Sequence, residues 1–189
     1  MNRAPRERNT ERDGDGNARL SCGLTNAPKL KELPPLFFSA EALRTLYIKN
    51  CPQLTWTPFS PLPCLLQQLE ELELEGDVGG FSRSLPSNNK IKVSTIWSSL
   101  FESLPSDLEN LTALQTLGIR FCYFIMSIPV ELQRLTSLQK LEIYHCHLLE
   151  ERCKKEAGED WMKICRIQRR ASWILFHFLE KEDDEQYIF

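Results

Sequence analysis

Leu111-Thr112-Ala113-Leu114-Gln115-Thr116-Leu117-Gly118-Ile119-Arg120-Phe121-Cys122 is answered 24 residues later by Leu135-Thr136-Ser137-Leu138-Gln139-Lys140-Leu141-Glu142-Ile143-Tyr144-His145-Cys146. Both stretches carry the same phrase: Leu114, Leu117, Ile119, Cys122, and Leu138, Leu141, Ile143, Cys146. Leu43, Leu46, Ile48 and Cys51 make a third copy, and Leu69, Leu72 and Leu74 a fourth with Asp77 in the cysteine slot. The middle of the phrase alternates apolar and variable residues, so it reads as a short strand with one buried face.

Taking the third apolar residue as a marker, Ile48, Leu74, Ile119 and Ile143 are clear. The gap from Leu74 to Ile119 suits two turns, and Asn88, Ile91, Val93 and Ile96 supply a degenerate copy marked by Val93. Upstream, Cys22, Leu24 and Ala27 fit a sixth, and the marker spacings become 24, 26, 19, 26 and 24. A phrase recurring at this period is the signature of a leucine-rich repeat. Burying three apolar side chains contributes roughly 1.5–3 kcal/mol each, whereas ordering each residue of a turn costs roughly 1–2 kcal/mol. One turn cannot stand alone, so successive turns must share a core. The expected fold is an α/β solenoid: a leucine-rich-repeat horseshoe fragment of about six turns, with a parallel concave sheet. Proline follows an apolar residue in Leu33-Pro34, Leu104-Pro105 and Ile128-Pro129, which keeps the convex returns irregular or short-helical, with Ser106–Leu111 and Val130–Leu135 as candidate helices.

The chain divides into residues 1–18, charged and expected to be disordered; residues 19–150, the repeats; and residues 151–189, a C-terminal cap segment and acidic tail. Terminal turns of a solenoid need cover, and Arg19–Leu33 offers none, so the N-terminal edge is expected to be sticky. Net charge is −3, which gives no reason to expect nucleic acid or an anionic membrane as partner. Met1–Arg19 holds five arginines and four acids with no apolar run, and Ala171–Leu179 is far short of a membrane span. Seven cysteines, three of them in one repeat slot, point to buried reduced thiols and a cytoplasmic location. No nucleophile and base stand at interpretable spacing, so an enzyme is not expected. Neither is a metal or cofactor: Cys146 of the His145-Cys146-His147 group belongs to the repeat, and the Asp13, Asp15, Asn17 run lacks the glycine and glutamate of a calcium loop.

Two features are more specific than any single repeat. One is the wording of Ser103-Leu104-Pro105 and Leu108–Cys122 with Leu135–Cys146 and Cys51-Pro52-Gln53-Leu54; the other is Cys153 followed by Gly158-Glu159-Asp160-Trp161 and Lys163-Ile164. Together they resemble the C-terminal repeats and closing segment of plant NB-ARC disease-resistance proteins, chiefly the coiled-coil class. The resemblance spans about residues 24 to 167. It implies a protein-recognition module of an intracellular immune receptor, its partners a pathogen effector, a host guardee or the receptor's own domains. The chain departs from the family in having no phosphate-binding glycine loop with lysine and no coiled-coil heptads. A truncated fragment lacking the nucleotide switch is therefore expected; a standalone or extracellular leucine-rich-repeat binding protein without an immune role is the alternative.

Side chains that alternate with the buried ones should face solvent on the concave side. The candidates for partner contact are Tyr47, Lys49, Glu73, Glu75, Lys92, Arg120, Phe121, Glu142 and Tyr144, aromatics and arginine being the usual anchors of binding energy. Gly118 and Ser94 fall on the same face by this count. The face could equally be a solvated repeat surface on which Glu71, Glu73 and Glu75 pair across strands with Lys90 and Lys92.

Overall fold

Eight strands form one sheet whose spatial order follows the chain. In the computed structural model the described residues are 8–12, 18–33, 43–55, 68–82, 85, 88–97, 100–168 and 173–177; the Asp13, Asp15, Asn17 run and the acidic tail lie outside them. The strands are β1 (Arg8–Arg12), β2 (Ala18–Thr25), β3 (Leu43–Lys49), β4 (Glu71–Glu75), β5 (Val93–Trp97), β6 (Thr116–Arg120), β7 (Lys140–Tyr144) and β8 (Trp173–His177). Every neighbouring pair from β2/β3 to β7/β8 is parallel. Parallel neighbours in chain order require each connection to return over the same side, so the chain winds as a solenoid.

The repeated phrase sets the register. Cys22, Leu46, Leu72, Ser94, Leu117 and Leu141 stand opposite one another in succession, as do Leu24, Ile48, Leu74, Ile96, Ile119 and Ile143. The second column is buried throughout, between 0% and 2% exposed. Ile48, Leu74, Ile96 and Ile119 each fill the space between their counterparts on the turns before and after, which no isolated turn could do. Proline begins the expected returns: Ser106–Asn110 follows Pro105 and Val130–Arg134 follows Pro129, both as tight 3-10 turns that bury Leu108 and Leu132.

The cysteine slot is a backbone-bonding position. Cys51, Cys122 and Cys146 direct their sulfurs at carbonyls of the preceding turn, Leu24 at 3.7 Å, Ile96 at 3.6 Å and Ile119 at 3.4 Å. Burial pushes the Cys51 thiol up, and a hydrogen bond with the Cys122 thiol followed by burial pushes Cys146 up, so both stay protonated. Just before this slot the chain turns through the left-handed region, at Asn26 (φ 52°), Asn50 (φ 49°), Gly76 (φ 69°), Phe121 (φ 55°) and His145 (φ 54°). At this bend the N–H of Asn26, Asn50, Gly76 and Phe121 donates to the last residue of the following strand.

The degenerate copy sits three residues later than its sequence suggests. Ile96, not Val93, pairs with Leu74 and with Ile119, which evens the marker spacing to 24, 26, 22, 23 and 24. Asn88 is buried, but as a turn residue whose Oδ1 accepts the N–H groups of Lys90 at 2.6 Å and Ile91 at 2.8 Å. Ile91 then takes the first apolar slot and Ser94 falls where β3, β4, β6 and β7 carry leucine. Ser94 therefore points into the core, 1% exposed, and not to solvent.

The β2 edge is paired. Residues 8–12, inside the segment expected to be disordered, form β1 and pair antiparallel with β2, so the β2 edge expected to be sticky is occupied. Composition misleads here because an antiparallel edge strand is held by backbone hydrogen bonds, which charged side chains do not prevent. At the other end, α1 (His147–Arg152) and α2 (Trp161–Gln168) replace the 3-10 return, and β8 then adds a further parallel strand.

Asp160 fastens this helical segment. Its carboxylate is 1% exposed and accepts the Ile128 N–H at 2.9 Å and Arg152 Nε at 3.2 Å, with Lys163 Nζ at 2.7 Å. Lys163 also donates to the Ile128 carbonyl at 2.8 Å. Burial alone would raise the Asp160 carboxyl, but Lys163, Arg152 and the Ile128 N–H outweigh it and hold it below its ordinary 3.8. Trp161 packs against the core beside it.

Two predictions follow from the core and its fastening. The Ser94 hydroxyl finds no hydrogen-bond partner among the described residues, so Ser94→Ala should stabilise the fold by about 1 kcal/mol, read as a melting temperature higher by about 2–4 °C. Asp160→Asn should destabilise by about 3 kcal/mol, the low end for breaking a buried pair because both cations reach solvent. Because the folded pKa of Asp160 is depressed, its contribution is complete above about pH 4 and is lost as pH falls through the folded value. Chemical denaturation across pH 2–7 should show the wild type and Asp160→Asn converging in acid.

Candidate recognition face

The outer face of the sheet carries three rows of side chains set by the pleat. Thr45, Glu71, Val93, Thr116 and Lys140 form one row; Tyr47, Glu73, Thr95, Gly118 and Glu142 the next; Lys49, Glu75, Trp97, Arg120 and Tyr144 the third. Of the nine residues singled out from sequence, seven stand in these rows and Phe121 stands at the bend just after the third.

Lys92 does not. It precedes β5, in line with Arg44 and Glu70, and its ammonium lies 3.4 Å from Glu70, which Arg44 also approaches at 3.4 Å. The displaced register put it on the face; with Leu74 opposite Ile96, the residues facing out of β5 are Val93, Thr95 and Trp97. Trp97 is the important omission. An uneven spacing of 19 residues between otherwise regular markers was the available signal, since moving the marker to Ile96 sets Trp97 between Glu75 and Arg120.

Charges on the face pair along the sheet toward β3 and β7. Glu75 accepts the Tyr47 hydroxyl and lies 2.5 Å from Lys49 Nζ. Burial works to raise the Glu75 carboxyl, but the bonds from Lys49 and Tyr47 keep it low. The Tyr47 phenol is raised by burial and by the Glu75 hydrogen bond. Glu142 lies 2.5 Å from both Arg120 and Lys140, which hold its carboxyl low against the opposing effect of burial. Glu73 goes the other way: burial, then the charge of Glu71, raises its carboxyl against the partial relief from Arg120. The expected pairing of Glu71, Glu73 and Glu75 with Lys90 and Lys92 does not form; Lys90 reaches Gln68 Oε1 at 2.8 Å.

Around Arg120 the face becomes aromatic. The Arg120 guanidinium lies over the Trp97 ring at 5.0 Å, and Trp97 stacks on Phe121 with centroids 6.1 Å apart. Phe121 stacks on His145 at 4.8 Å and meets Tyr144 edge-on at 5.4 Å. At Gly118 a Cβ would press on the neighbouring Thr95 side chain, 3.2 Å from its methyl. Beyond the bend, Tyr123 and Phe124 are 50% and 55% exposed. Phe121 and His145 join the ring ladder because the left-handed bend aims their side chains along the rim, where Asn26, Asn50 and Gly76 present no ring. Among the described residues no group of three or more His, Cys, Asp or Glu side chains is placed to hold a metal, and no helix is long and apolar enough to cross a membrane.

Neither a family model nor a curated protein matches this chain.

A left-handed backbone costs a bulky residue about 1–2 kcal/mol, and each ring contact returns about 0.5–1.5 kcal/mol. Phe121→Asn, which installs the residue found at two of the equivalent bends, Asn26 and Asn50, should leave stability within about 1 kcal/mol of wild type, whereas Phe121→Val, β-branched and without a ring, should lose about 2 kcal/mol or more. Thermal melts of the two variants check this.

Proposed function

We propose that this chain is a leucine-rich-repeat horseshoe whose aromatic sheet face is concave, and that it serves as the protein-recognition module of an intracellular plant immune receptor. The observation that carries the reading is the ladder of Trp97, Phe121, Tyr144 and His145 around Arg120, on the face of a parallel-stranded solenoid. Trp, Tyr and Arg dominate the energetics of protein interfaces, and here they are gathered on rigid strands. The resemblance to plant disease-resistance repeats supplies the biological setting, and two of its elements have physical roles here. The cysteine slot bonds three turns, at Cys51, Cys122 and Cys146, to the one before, and Asp160 of Gly158-Glu159-Asp160-Trp161 joins the helical segment to Ile128. These 189 residues hold no phosphate-binding loop, so the role proposed for them is recognition.

A two-hybrid screen of the full chain against a library from infected leaf tissue tests this. Partners should be lost with Trp97→Ala and with Phe121→Asn, by at least about tenfold in affinity, as expected for anchors at an interface centre, and kept with Thr136→Ala on an exposed return. A screen without partners, or partners lost equally with all three variants, overturns the reading.

A further inference from the structure

Cations on and beside the sheet face are shared out unevenly among its carboxylates. Glu70 has Arg44 and Lys92, Glu75 has Lys49 and the Tyr47 hydroxyl, and Glu142 has Arg120 and Lys140. On β4 the other two acids have none. Glu71 accepts the Thr45 hydroxyl at 3.3 Å, and among the described residues no ion pair or hydrogen bond reaches the Glu73 carboxylate. Glu73 is half-buried, and burial together with the charge of Glu71 raises its carboxyl.

Glu73 also adjoins the ring ladder. It stands one strand and one row from Trp97, a diagonal of about 8 Å. Thr95 and Gly118 carry the shortest side chains of the middle row, so that row is lowest between Glu73 and Glu142, alongside Trp97 and Arg120. A protein seated on the rings therefore covers Glu73 too, and taking water from a carboxylate that has no cation is strongly unfavourable. The cation has to come from the partner.

We propose that the face recognises a basic-aromatic segment of its partner: a lysine or arginine side chain laid over Thr95 with its charged head at Glu73 and Glu71, and an aromatic or large apolar residue against Trp97, Phe121 and Tyr144. This rests on the sheet face being the recognition surface and adds the chemistry of what it recognises. An acidic segment is rejected, because Glu71, Glu73 and Glu75 repel it while Arg120 and Lys140 are already held by Glu142. Geometry limits the spacing: from β4, the ladder runs from one strand spacing away to three, about 5 to 14 Å. A segment extended across the strands thus places its cation and its ring about two to four residues apart.

Random dodecapeptides displayed on phage are selected against the full chain and, in parallel, against Glu73→Gln, Glu73→Lys and Trp97→Ala. Wild type should enrich peptides with Lys or Arg about two to four residues from Trp, Tyr or Phe, and these peptides, once synthesised, should bind Glu73→Gln about tenfold more weakly. Glu73→Lys should instead select Asp or Glu in place of the cation and keep the aromatic residue, a gain that a damaged fold could not produce. Peptides that need Trp97 but carry no cation, or that bind Glu73→Gln as tightly as wild type, overturn the inference and leave the recognition reading standing. Peptides that bind Trp97→Ala as tightly as wild type overturn both. A selection that enriches no sequence overturns the inference.

Discussion

Leu46, Leu72 and Leu117 each bury one flank against the turn before and the other against the turn after, and every other property of the molecule inherits that arrangement. Such side chains gain their dispersion and hydrophobic free energy only when two coils are in register, so the stabilising unit is the interface between turns and not the turn. The requirement explains why the phrase is strict at its inward positions and loose elsewhere. It also explains how Ser94 is tolerated: one small polar residue in a leucine column leaves Leu72 and Leu117 with each of their other neighbours intact.

With inward positions committed, chemistry is left to the outward residues and to the bend. The bend is where backbone geometry and surface composition meet. At each described bend the chain passes through left-handed conformation before the cysteine slot, and Asn26, Asn50 and Gly76 meet that need with asparagine or glycine. Phe121 and His145 meet it with rings, at a conformational cost that the stacking of Trp97, Phe121, Tyr144 and His145 offsets. The result is an aromatic rim confined to β5–β7, next to a sheet half in which Glu71, Glu73 and Glu75 are the prominent charges. Two surfaces of different chemistry thus share one continuous sheet.

How much of this was legible in the sequence follows from the same division. Leu43–Cys51, Leu114–Cys122 and Leu138–Cys146 read directly into strands, register and bend because their apolar spacing is a packing constraint. The copy at β5 did not, since Asn88 and Ser94 are polar residues in buried places, one satisfied by the N–H groups of Lys90 and Ile91 and one not satisfied among the described residues. Pattern reading assumes buried means apolar, and a turn-forming asparagine violates that assumption. The resulting slip brought Lys92 onto the face and hid Trp97. The aromatic ladder was only half visible, because Phe121 and Tyr144 could be named from spacing, but their meeting with Trp97 and His145 depends on register and on a positive φ. β1 was not legible: an edge strand held through its backbone leaves little trace in side-chain pattern.

The segment around Gly158-Glu159-Asp160-Trp161 gains a different meaning once β8 is in place. Read as a terminal cap, it would close the solenoid. In the fold it lies between two parallel strands, β7 and β8, and α2 packs against Val130–Arg134, the return of the preceding turn. It is therefore itself a return, built from helices and longer than the others, with Ile143 and Phe176 as the paired strand residues on either side. A longer return cannot rely on the short 3-10 turn after proline for its placement, and Asp160 supplies the missing constraint by binding the Ile128 N–H, Arg152 and Lys163 at one buried point. A buried carboxylate with three donors is a directional joint, whereas leucine packing alone would let the helices slide.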